Sequence, residues 1–180
     1  MFHSNRPYLS LRAVALVPLI LFTPAVIAFF VSPDVLWGEY LGVFFHLSIL
    51  FLVARLDAAS WAKAAGYGWV ALDVLAGILM INDIPYDVAW AVRLGGHVLA
   101  GTWIVAASLV NRSRIVAVLG IVTGLWLAGY SFVGTVLPEE ALRPAGICIL
   151  AWFAAIAVFD RSRSVQETDG ESGATVGARA

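Results

Sequence analysis

The chain has 180 residues, of which 61% are hydrophobic and only 13% charged, and its mean hydropathy is +0.89. Soluble domains run near 45–50% apolar and about 25% charged, so this composition excludes an ordinary soluble domain and points to an all-α, polytopic membrane protein. A net charge of −1 carries no information about nucleic acid, because charge matters here by position along the chain rather than in total, and a single cysteine, Cys148, excludes an intrachain disulfide.

The chain opens on a short polar stretch, Met1 to Arg12, followed by an apolar run from Ala13 to Val31. Its length matches the ~20 residues needed to cross a ~30 Å hydrocarbon core. A cleaved signal peptide would carry an apolar region of about 7–15 residues and a small-residue cleavage site. This run is longer and ends Phe29-Phe30-Val31-Ser32-Pro33, so it is expected to be a retained first span, kinked at Pro18 and Pro24. Five further spans are expected at about 37–54, 62–81, 87–110, 115–136 and 141–159. Turn signatures separate them, among them Asn82-Asp83-Ile84-Pro85 and Leu137-Pro138-Glu139-Glu140, and Pro144 falls in the first turn of the sixth, where proline costs little. Residues 161–180, rich in Ser, Gly, Glu and Arg, are expected to form a disordered tail.

Six spans place both termini on one side. Arg6, Arg12, Arg55, Lys63, Arg112, Arg114, Arg161, Arg163 and Arg179 collect there, with only Arg93 and Arg143 toward the other. Basic enrichment of cytoplasmic loops makes that side the cytoplasm of a multi-pass cell-membrane protein. The outer side receives Asp34, Glu39, Asp83, Asp87, Glu139 and Glu140, with Trp37, Tyr40, Tyr86 and Trp90 as an aromatic belt.

The segment Trp90 to Gly101 carries Arg93 and His97 one turn apart, beside Gly95, Gly96 and Gly101. Charge at bilayer depth is costly, so each such group needs a partner or a task. Counting along the helices at 1.5 Å per residue puts His46 and His97 roughly 13–15 Å below the outer edge and Asp73 about 12 Å below it. Glu39 shares the face of His46, and Tyr130 and Trp126 fall in the same half. A polar cluster in the outer half is therefore expected from Glu39, His46, Asp73, Arg93, His97 and Tyr130.

Three readings account for it. The first is structural or belongs to an assembly subunit: an Asp73–Arg93 ion pair and hydrogen-bonded histidines that hold helices together, as polar contacts ordinarily do in membranes. The second, preferred, is a site that binds or transports a small polar molecule or protons. The third is haem b held by His46 and His97, with Gly95, Gly96 and Gly101 letting the flat macrocycle approach and Arg93 on a propionate. Catalysis finds little support. There is no zinc-binding His-Glu-x-x-His, no phosphate-binding glycine loop, no charged neighbour at helical spacing from Cys148, and the one lysine, Lys63, lies at the inner boundary. The lipid bilayer is the expected partner, with further membrane subunits or a second copy as additional ones. Gly38-x-x-x-Gly42 and Gly120-x-x-x-Gly124 are expected to be close helix contacts.

Overall fold

Serine hydroxyls start two of the helices: Ser10 Oγ accepts from the amide of Ala13 at 3.2 Å, and Ser113 Oγ from that of Val116 at 3.5 Å. The computed structural model describes residues 10–32 and 35–159. These form α1 (Leu11–Val31), α2 (Leu36–Arg55), α3 (Ser60–Ile81), α4 (Tyr86–Leu109), α5 (Arg114–Val133) and α6 (Arg143–Phe159), with a 3₁₀ turn over Glu139–Leu142 and no strand among the described residues. All six spans are long and apolar enough to cross a bilayer, the last counted from the 3₁₀ turn, and together they mark a multi-pass membrane protein. The expected tail, Asp34, and the residues before Ser10 lie outside the described residues.

Helix α1 runs through Pro18 and Pro24 as one helix. One boundary differs from expectation. Helix α5 stops at Val133 rather than Val136, because the following residues turn back onto it: the amide of Leu137 donates to the carbonyl of Val133 at 2.9 Å. Trp126 Nε1 donates to the carbonyl of Ala141 at 2.8 Å, and Tyr130 Oη to that of Leu137 at 3.4 Å, so the connection is fastened to the helix it leaves.

Each helix packs on its neighbours in sequence, and α6 closes on α1, so the six form a ring. Leu, Ile, Val and Phe side chains such as Ile20, Phe51, Leu125 and Phe132 stand outward, as a lipid-facing surface requires. Short connections put the starts of α1, α3 and α5 at one end with Arg12, Arg55, Lys63, Arg112 and Arg114. The opposite end carries Glu39, Asp83, Asp87, Glu139 and Glu140. These are called the basic and acidic ends.

Aromatic rings fill the ring's interior from its middle toward the basic end. Phe22 stacks on Phe45 at 4.2 Å between centroids, Phe45 meets Trp69 and Phe153 edge-on, and Trp103 lies 5.8 Å from Trp69 and 5.7 Å from Trp152. Aromatic side chains bring about 150–250 Å² of buried area each and prefer such offset and edge-on contacts. Five helices give one layer between them, while α5 meets it at Gly120, beside Trp152. The layer is the floor under everything on the acidic side.

The glycine expectations divide. A Cβ on Gly101 would come 2.3 Å from the carbonyl oxygen of Gly124, and one on Gly120 would run into Ser108 and Trp152, so α4, α5 and α6 do meet through glycines. Gly38 and Gly42 make no such contact. A Cβ on Gly42 would meet nothing within 4 Å, and both residues line a cavity instead.

Candidate functional site

Above the aromatic floor the ring encloses a cavity of about 190 Å³. Its α1, α5 and α6 walls are apolar, built from residues such as Phe22, Val26, Leu127, Ala145 and Ile149. The α2, α3 and α4 walls carry Glu39, His46, Asp73, Arg93 and His97. Five of the six residues expected in the site thus surround one space. Tyr130 does not: it is buried near the end of α5, outside the cavity lining, and its hydroxyl donates to the backbone at Leu137.

Asp73 is the most deeply placed of the ionisable groups, 1% exposed in the middle of α3. Trp69, one turn earlier on the same helix, donates its indole Nε1–H to Asp73 Oδ2, and His46 Nε2 lies 3.1 Å from that same oxygen. The other ring nitrogen of His46, Nδ1, donates to the carbonyl of Gly42 at 2.7 Å, which fixes the plane of the imidazole. The second carboxylate oxygen rests on the backbone of α4 at Gly96, where a Cβ would lie 2.9 Å from Oδ1. Glycine at this position is what lets a carboxylate reach the neighbouring helix.

Arg93 does not pair with Asp73 as expected. Its guanidinium forks onto Glu39, with Nη2 to Oε2 at 2.6 Å and Nη1 to Oε1 at 3.3 Å. The reason is the length and direction of the arginine side chain. Arg93 is seven residues from the start of α4 at the acidic end, and its flexible stem carries the charge toward that end, where Glu39 waits near the start of α2. A bidentate arginine–carboxylate pair also holds geometry better than a single contact would. Two separate pairs result, Glu39–Arg93 above and His46–Asp73 below, with His97 beside them in edge contact with Trp90.

The upper pair divides this cavity from a second, of about 310 Å³, at the acidic end; Phe29, Glu39, Trp90 and Arg93 line both. There Tyr86 stacks on Trp90 and donates its hydroxyl to Glu139 Oε2 at 2.6 Å, and Arg143 sits over the rings of Phe29 and Phe30 at 5.8 and 5.4 Å. Tyr86 and Trp90, expected as belt aromatics, are therefore also walls of the opening. Three buried polar atoms around the inner cavity have no partner in the protein: Arg93 Nε, His97 Nδ1 and Asp73 Oδ1.

The haem reading finds no fit in this geometry. His46 Nε2, the nitrogen that would face iron, instead faces Asp73 Oδ2 at 3.1 Å, so a carboxylate stands where the metal would have to be. Gly96, expected to clear space for a macrocycle, instead accommodates Asp73. Sequence reasoning also missed Trp69, although its spacing of four from Asp73 on one helix was a readable signal. The Phe22 and Phe29 contribution from α1 had none.

The fold and this cavity define a multi-pass membrane protein with a partly polar interior pocket that shares Phe29, Glu39, Trp90 and Arg93 with a second cavity at the acidic end. The chain matches no protein-family model, no curated protein and no solved structure.

Proposed function

We propose that this protein binds a small molecule within the bilayer, in a cavity reached from the acidic end. In this reading the acidic end faces away from the cytoplasm and both termini lie inside, as the basic residues of the short loops favour. The observation that carries it is the convergence of Glu39, His46, Asp73, Arg93 and His97 on one cavity. Polar groups serving only to hold helices together are satisfied by packing tightly between them. These stand around a void, and two donors or acceptors on α4, Arg93 Nε and His97 Nδ1, are left for something else. The opposing apolar wall suits an occupant with a hydrocarbon body and a polar head, in keeping with pockets that are mostly apolar with a few placed polar groups. The aromatic floor favours binding over passage, since movement to the basic end requires Trp69 and its neighbours to be displaced.

A ligand that binds the folded state alone stabilises it by about 2.7 kcal/mol at 100 times its Kd. A panel of small amphipathic molecules is therefore expected to contain members that raise the melting temperature of the purified protein. Gly42→Leu should abolish that rise, because the added side chain enters the open space of the cavity, while leaving the unliganded protein at least as stable. A panel that shifts wild type and Gly42→Leu equally would count against the cavity as the site.

A further inference from the structure

We infer that the cavity takes a primary organic ammonium in exchange for one proton, an inference that rests on the cavity being a ligand site. A carbonyl oxygen can only accept, so the 2.7 Å contact of His46 with Gly42 places a hydrogen on Nδ1. In a neutral ring Nε2 is then a bare lone pair, and it faces Asp73 Oδ2 at 3.1 Å. Two acceptors do not sit together at that distance in a buried site, so one further proton lies between them, on the ring or on the carboxyl. The pair holds one proton that it can lose.

Charge decides what replaces it. Glu39 and Asp73 are each −1 and Arg93 is +1, so the cavity is neutral with the shared proton and −1 without it. His97 on α4 adds no fixed charge. The cavity linings of α1, α5 and α6 bring no titratable group, and the opening adds Tyr86, Glu139, Glu140 and Arg143. A monovalent cation restores neutrality, and an anion does not.

The walls choose among cations. Phe22, Phe45, Trp69 and Trp90 line the space, and aromatic faces attract desolvated ammonium groups by about 2 kcal/mol or more. An R–NH₃⁺ head brings three N–H donors to a site offering the Asp73 carboxylate, the freed Nε2 of His46 and the unpartnered Nδ1 of His97. Hard metal cations want six or more oxygen ligands, and no group of three His, Cys, Asp or Glu side chains suited to a metal occurs among the described residues. The exchange is balanced: one ammonium enters, one proton leaves by the same opening, and no bond to carbon changes. Carboxylates of Glu39, Glu139 and Glu140 at that opening concentrate cations before they enter.

The test is calorimetric titration of the full-length chain in nanodiscs with n-butylammonium, n-butanol and butyrate, repeated in buffers of different ionisation enthalpy to count protons. An alkylammonium stays charged from roughly pH 6 to 8.5, since amines of the lysine type titrate near 10.4. The expected result is preferential binding of n-butylammonium, release of about one proton per ammonium, and affinity that rises with pH by up to about tenfold per unit, as reciprocal linkage demands. Asp73→Asn should lose ammonium binding. His46→Gln, which removes the Nε2 acceptor and one of the two seats of the shared proton, should bind n-butylammonium more weakly, with less proton release and a flatter pH dependence than wild type, and this variant together with wild type decides the matter even if Asp73→Asn does not fold. Ammonium binding without proton release overturns the inference. Equal or tighter binding of n-butanol or butyrate overturns the cation and leaves the ligand cavity standing, whereas no binding by any of the three at about 10 mM removes the inference altogether.

Discussion

Arg93→Ala is expected to destabilise the protein by about 3–5 kcal/mol, and adding Glu39→Ala to it should recover a large part of that loss. Removing one partner of a half-buried ion pair leaves the other charge without compensation in a low-dielectric setting, which is the costly event; removing both takes the charge away with its partner. Arg93 and Glu39 are 19% and 24% exposed and joined by two hydrogen bonds, so little water is available to substitute. A double-mutant cycle in denaturant or thermal unfolding measures the coupling directly. The same cycle on Arg93 and Asp73 should give a distinctly smaller coupling, because Asp73 is held by His46 and Trp69.

Gly101→Ala should be the most damaging single methyl in the bundle, at about 2–3 kcal/mol, the upper part of the range for overpacking. Its Cβ would lie 2.3 Å from the Gly124 carbonyl oxygen and 2.7 Å from Ala128 Cβ. No rotamer change relieves a clash with backbone, so α4 and α5 must move apart. Gly129→Ala in the same helix pair is the control: nothing lies within 4 Å of its Cβ, and helix propensity favours alanine by up to about 1 kcal/mol. Comparison of the two unfolding midpoints, with Gly129→Ala at or above wild type, checks the account of this contact.

Hydropathy made the six spans legible, because length and apolar composition are properties of each segment alone. Depth was nearly as accessible: counting residues at a fixed rise put Glu39, His46, Asp73, Arg93 and His97 in one half, and those five do share a cavity. Counting says nothing of rotation about the helix axis or of side-chain reach, which is where expectation failed. Tyr130 has the right depth and the wrong face. Arg93 has the depth of Asp73, yet its stem carries the charge to Glu39. Gly38 and Gly42 have the spacing of a packing motif, but whether such a pair touches a helix or borders a void depends on what stands opposite, and here that is the open side of α1 and α6. The aromatic floor required knowledge of the ring order, since Phe45, Trp69, Trp103 and Trp152 come from four helices.

We propose that the interior cavity opens at the acidic end and that this end faces away from the cytoplasm. Gly42→Cys tests both at once, since a side chain there projects into open space and Cys148→Ser removes the one native thiol. The measurement is labelling of this double variant by a membrane-impermeant methanethiosulfonate cation in right-side-out and inside-out vesicles. Rapid labelling is expected in right-side-out vesicles and little in inside-out ones. Labelling from the inside-out preparation alone, or a thiol inert from both faces yet reactive after denaturation, would contradict it.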